Sequence, residues 1–207
     1  MTLAFLFAII ASVLALSRIV VIYRALKEKV RTGSVDPVPW FIWGGLGVMT
    51  LVPQIADAGW QPALLFGAAN VVVNFTVVWL ARRHGIKFTR KDVITIVVVA
   101  GSVALCVLSG NAMLGLVISL LADFFGVVRT WRKAWRNPNS ERAMTWLLAA
   151  CAGGSAVISA VYAGETINLL YPAYAIGNAF VSAVIVAGRR KYLERKVTRL
   201  ALLSEAG

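Results

Sequence analysis

The chain has 207 residues and a formal net charge of +12, with 59% hydrophobic residues, only 14% charged residues and a mean hydropathy of +0.78. A soluble domain needs roughly 25% charged residues to face water, so lipid must supply part of the solvent. Disorder, a collagen-like fibre, a soluble catalytic domain and a disulfide scaffold are excluded, and the expected class is an all-α polytopic membrane protein.

In chain order, seven apolar runs are long enough to cross a bilayer, which takes about 20 residues, or fewer inside a bundle. They cover 3–23, 38–55, 62–81, 93–109, 113–128, 143–163 and 167–188. Pro37 and Pro39 open the second run and Pro62 the third, where a missing N–H costs nothing. Ser109, Gly110 and Asn111 supply the turn between the fourth and fifth. The first run has no basic start and is long for a signal peptide, so it reads as a retained helix with its N-terminus outside. Cys106 and Cys151 lie within apolar runs, as small buried side chains rather than an extracellular clamp.

Of the 21 Lys and Arg residues, four fall in 24–31, five in 82–91, five in 129–142 and six in 189–199, leaving Arg18 alone. Blocks this short and regular are a positive-inside signature and not a nucleic-acid face. Seven spans, N-out and C-in, place all four blocks in the cytoplasm. The outer connections 56–61, 110–112 and 164–166 then hold no Lys or Arg, but do hold Asp57 and Glu165. Six or eight spans would expose a basic block on the wrong side.

Runs one to three and five to seven share a layout. Arg24 matches Arg129, Trp40 matches Trp146, Asn70 matches Asn178 and Arg82-Arg83 matches Arg189-Arg190, at offsets of 105, 106, 108 and 107. Both sets enter from outside, so they read as parallel three-helix repeats. The expected division is 1–92 for the first repeat, 93–112 for a linker helix, 113–190 for the second repeat and 191–207 for a basic cytoplasmic tail.

This three-plus-one-plus-three layout resembles the SWEET and PQ-loop group of sugar and small-solute carriers, parallel-repeat transporters. The resemblance covers nearly the whole chain and implies alternating access, with an Asn from each third helix, here Asn70 and Asn178, lining a central pocket. No Pro-Gln pair closes the first or fifth run, where Tyr23-Arg24 and Val128-Arg129 stand instead, and the group's hinge prolines are missing from the first, fifth and sixth. The nicotinamide-riboside carriers share the same layout.

Polar groups within apolar runs are the candidates for chemistry, because they are costly in hydrocarbon unless partnered. Asn70 and Asn178 sit 12 and 11 residues before the Arg doublets, roughly 17 Å above the inner boundary at 1.5 Å per residue. Two carboxamides at equal depth suit an uncharged polar solute, or equally glue neighbouring helices. Asn74 lies one turn inward of Asn70. Tyr171 and Tyr174 flank Pro172, expected to loosen the seventh helix, and can stack on a ring or line a packed bundle; Tyr174 is taken as the substrate-binding candidate. Arg18 and Asp123 each precede a closing Arg by six residues. An unpaired charge at that depth costs about 2.5 to 3.5 kcal/mol, so an ion pair gating the cytoplasmic end is expected, with a static bridge or a snorkelling Arg18 as the alternative. The tryptophans, mostly near run ends, read as an interfacial belt. Gly44, Gly45, Gly47, Gly153 and Gly154 would let helices approach closely.

The single His84 lies in a basic inner block, which leaves no ligand set for haem or zinc, and all seven lysines lie in the basic blocks. No hydrolase, zinc-protease or Walker signature occurs. No enzyme activity, cofactor or metal is expected. The expected function is transport of a small neutral polar solute in the plasma or inner membrane, by facilitated diffusion. The rival is a ligand-sensing receptor or assembly factor on the same scaffold. The expected partners are the solute and the lipid bilayer, with no nucleic acid; a homo-oligomer is compatible with the scaffold.

Overall fold

A computed structural model describes residues 2–29, 36–62, 64–108, 112–164 and 169–205. Glu165, the turn at 109–111 and the side chains of Asp57 and Cys106 lie outside the described set. Among the described residues the chain is helical throughout and has no strand. The elements are α1 (Thr2–Lys29), α2 (Pro37–Ala58), α3 (Leu64–Arg83), α4 (Arg90–Leu108), α5 (Ala112–Arg136), a 3₁₀ turn at Pro138–Ser140, α6 (Ala143–Ala163) and α7 (Leu170–Glu205). Stretches within α1, α3, α6 and α7 are long and apolar enough to cross a membrane.

The distribution of side-chain size along α1 shows what kind of solvent surrounds it. Ala4, Ala8, Ala11 and Ala15 are buried, while Leu3, Leu6, Ile10 and Val13 face outward. A water-soluble helix does the reverse, because burying large apolar groups is what drives its packing. Small residues inside and large ones outside suit helices that associate by close approach in lipid. Exposed apolar side chains continue around α5, α6 and α7 with Phe125, Val161 and Phe180. Cys151 is exposed on α6, a correction to the buried position its apolar run suggests; it shares the outward face of Met144, Leu147 and Ile158.

Helix ends follow local chemistry. Asp36 caps α2 by accepting from Val38 N at 3.1 Å, and Pro37 occupies the first turn. Thr89 and Asp92 open α4 with reciprocal bonds: Thr89 N donates to Asp92 Oδ2 at 2.7 Å, and Asp92 N donates to Thr89 Oγ1 at 3.3 Å. Gly85, at φ 82°, ends the turn after α3. Pro172 lies in the first turn of α7, where no intrahelical bond is lost, so it opens this helix and does not loosen it. Beyond 190 the helix continues to Glu205. Its Arg, Lys, Leu and Glu residues are good helix formers, and no Gly or Pro interrupts them before the chain end.

In the first half α3 packs between α1 and α2; in the second, α7 packs between α5 and α6. The halves meet along two seams, α1 against α6 and α2 against α5, and α4 lies on α2 and α5. Of the small residues proposed for close approach, three sit at tight contacts. A Cβ on Gly44 would meet the Phe75 ring at 3.1 Å, one on Gly47 would meet Val71 Cγ2 at 2.6 Å, and one on Gly153 would meet Ile176 Cγ1 at 2.9 Å and Pro172 O at 3.3 Å. Gly45 and Gly154 face open space.

The α2–α5 seam is fastened at its basic end. Arg129, one residue past the fifth apolar run, donates through Nε to Asp36 Oδ2 at 2.6 Å and through Nη2 to Asp92 Oδ1 at 2.7 Å. One guanidinium therefore ties together the start of α2, the start of α4 and the end of α5. Burial alone would raise the Asp92 pKa. The Thr89 backbone and hydroxyl bonds and Arg129 outweigh it and hold the carboxyl below its ordinary 3.8. A lowered carboxylate pKa adds stability that is complete above the ordinary value and disappears as pH falls through the lowered one. The unfolding temperature is accordingly expected to be flat near neutrality and to fall below about pH 4. Asp92→Asn should cost about 1 to 2 kcal/mol at neutral pH, from the weakened cap and lost ion pair, and should reduce the acid-limb drop. An unchanged acid limb in a thermal melt series would refute this.

Candidate functional site

A cavity open to water centres over about 50 Å³ lies where the two halves face each other. Its walls come from Arg18 of α1, Trp43 of α2, Phe66, Asn70 and Asn74 of α3, Asp123 of α5, Trp146 and Ala149 of α6, and Tyr171, Tyr174 and Asn178 of α7. All six residues singled out from the sequence, Asn70, Asn74, Asn178, Tyr174, Arg18 and Asp123, line this one space. As it stands the space admits a few water molecules.

The two asparagines are bonded differently. Asn70 Oδ1 accepts from Arg18 Nη1 at 3.0 Å, and its Nδ2 donates to Phe66 O one turn earlier at 3.1 Å. Its carboxamide thus holds the guanidinium of α1. Asn178 Oδ1 accepts from Ser182 Oγ at 3.3 Å, and Ser182 Oγ in turn accepts from Trp131 Nε1 at 2.8 Å. In each half, the asparagine of the central helix is therefore linked to the first helix of that half.

Arg18 and Asp123 do not form the expected ion pair. Among the described residues the ion pairs are Arg129 with Asp36 and with Asp92, and Lys133 with Glu141. Arg18 is buried at 5% exposure, bonded to Asn70 and stacked 5.5 Å from the centre of the Trp40 ring. Its Nε has no partner. Asp123 is 8% exposed, and its Oδ2 has no partner. The Tyr174 hydroxyl faces this carboxylate but stays outside hydrogen-bond geometry and is also without a partner. Tyr171 lies within electrostatic range of both charges. Both residues line the same cavity, with Tyr171 and Tyr174 on its wall as well.

Six of the seven tryptophans split into two groups, with Trp131 half-buried between them, and this corrects the belt reading for three. Trp60, Trp79 and Trp135 are exposed, but Trp40, Trp43 and Trp146 are buried together. Trp40 stacks on Trp146 at 6.4 Å between ring centres and meets Trp43 edge-on at 5.3 Å; Trp43 meets Trp146 edge-on at 6.0 Å. Trp40 and Trp146, the landmarks matched between the halves, touch each other across the bundle. This trio floors the cavity toward the basic ends. Below it, Trp40, Ile22, Glu141 and Thr145 line a second void of about 20 Å³. On the opposite side Phe66 and Tyr171 lie 6.2 Å apart. Tyr171 was marked in the sequence by its place beside Pro172, whereas Phe66 had no stronger mark than any other aromatic in an apolar run.

The loop between α5 and α6 is clamped from α7. Arg190 donates to Pro138 O at 3.1 Å and Glu141 O at 2.6 Å, and Arg189 Nε donates to Trp135 O at 3.1 Å. The doublet is thus an anchor as well as a positive block. No known protein family, curated protein or solved structure matches this chain.

Proposed function

We propose that the chain is a seven-span membrane carrier, N-out and C-in, which moves a small polar solute of no net charge by alternating access between two three-helix units. The observation that carries this reading is the cavity at the meeting of the halves, whose walls bring together Asn70, Asn74, Asn178, Tyr174, Arg18 and Asp123. The matched packing order of the halves, with the third helix of each in the centre, supports a two-body motion around that cavity. A resemblance to the SWEET and PQ-loop group in layout points the same way. The present void, at about 50 Å³, has room for no more than a few waters, so a solute enters only when the halves part, as alternating access requires. No coupling-ion cage is needed for facilitated diffusion down a gradient.

Flux decides between this reading and a receptor or assembly factor. Purified protein in liposomes should exchange a preloaded radiolabelled solute from a panel of sugars, polyols, amino acids and nucleosides, and Asn178→Ala should slow that exchange by about tenfold, the loss of one good hydrogen bond. Saturable binding without exchange would make the chain a receptor. Neither binding nor exchange by folded protein would leave an assembly role.

A further inference from the structure

The cavity holds one buried cation and one buried anion that are not paired with each other. A purely structural pair would close directly, because isolated charges in an apolar interior are costly and pairing relieves that cost. Here Arg18 is held away from Asp123 by its bond to Asn70 and its stacking on Trp40. Arg18 Nε and Asp123 Oδ2 both remain unpartnered, and both residues line the same space. An uncharged polyol would leave both charges uncompensated, and a solute with one charge would answer only one of them.

We infer that the cavity takes a compact zwitterion, whose anionic group lies on the Arg18 guanidinium and whose ammonium group lies on the Asp123 carboxylate. Guanidinium N–H donors suit a carboxylate, singly or as a fork. At the other end, the faces of Trp43, Trp146 and Tyr174 supply the aromatic surface that attracts ammonium groups. The small size of the void favours a short solute with its two charges a few ångströms apart, of the amino-acid or betaine type. Asn70 is then a positioning residue, which keeps Arg18 from collapsing onto Asp123. This deepens the carrier reading and rests on the cavity being its solute site.

The test is a thermal-shift and calorimetric titration of the full chain in detergent with four sets of probes: small α-amino acids and glycine betaine, the methyl esters of both, the N-acetyl derivatives of the amino acids, and glucose and glycerol. The expected result is stabilisation by the zwitterions and not by the ester, acetyl or uncharged sets, with Arg18→Gln and Asp123→Asn each weakening binding by about a hundredfold, as for truncation of a buried charge pair. The esters and acetyl derivatives remove one charge at a time from the ligand, so the wild-type protein decides the matter even if a variant fails to fold. Binding of esters as tightly as the parent amino acids would overturn the inference in favour of a simple cation site. Stabilisation by glucose or glycerol alone would overturn it and leave the carrier reading standing. No shift with any probe, together with no flux in liposomes, would remove both.

Discussion

Replacing Asn70 with leucine is expected to destabilise the folded protein by about 3 to 5 kcal/mol, the usual cost of stripping a partner from a buried charge. Arg18 Nη1 would lose the acceptor 3.0 Å away, and the few waters the cavity admits solvate a buried guanidinium less well than bulk water does. The size of the effect comes from the charge left behind, and a second substitution tests that. Arg18→Met alone removes the charge and keeps the stem that packs on Trp40, so Arg18→Met/Asn70→Leu should lose well less than the sum of the two single losses. The coupling is expected to exceed about 1 kcal/mol in a double-mutant cycle. Additive losses, or an Asn70→Leu protein that melts with the wild type, would mean that Arg18 finds another acceptor and that Asn70 does not position it.

Trp146→Ala is expected to have an effect of similar size and a different character. The indole is 3% exposed and packs against both Trp40 and Trp43, and truncation of a buried aromatic to alanine costs about 3 to 5 kcal/mol. It also removes part of the floor between the main cavity and the void below. A cysteine placed at Ala149, on the cavity wall, should then become reactive toward a membrane-impermeant thiol reagent applied from the basic side, in a Cys151→Ser background. Trp146→Phe keeps a ring there and should leave the reporter protected. Equal labelling in all three backgrounds would show that the tryptophan trio closes nothing.

Much of this site was legible in the sequence, for one physical reason. Asn, Asp and Arg are expensive within apolar runs, so Asn70, Asn74, Asn178, Arg18 and Asp123 stood out wherever the helices would turn. Counting residues to the closing arginines supplied their depth along each axis. Depth is one coordinate of two, however. The rotation of each helix is set by which small residues meet across the seams, and that is decided by packing between runs distant in sequence. Arg18 bonds Asn70 and does not pair with Asp123, although both line one cavity, and residue counting along each helix could not foretell that choice of partner. The tryptophans failed for a related reason: a Trp near a helix end suits either an interfacial belt or an internal floor, and only the neighbouring helix decides. The helical form of the stretch beyond residue 190 was not read from the sequence, although its Lys, Arg and Glu residues propagate a helix well.

The two seams between the halves have opposite mechanical characters. Where α2 meets α5, a guanidinium joins three helix ends and α4 lies across the joint, so separation there breaks ion pairs and exposes α4. Where α1 meets α6, the surfaces are faced with Ala4, Ala8, Ala11 and Ala15 on one side and Ala152, Ala156 and Ala160 on the other, all nearly fully buried. Alanine has no rotamers to rearrange and little relief to interlock, and among the described residues the side-chain hydrogen bond across that seam runs from Ser159 Oγ to Ala4 O at 2.7 Å. A body built this way behaves like a book, with α4 along the spine and two smooth covers that slide or part at the fore-edge.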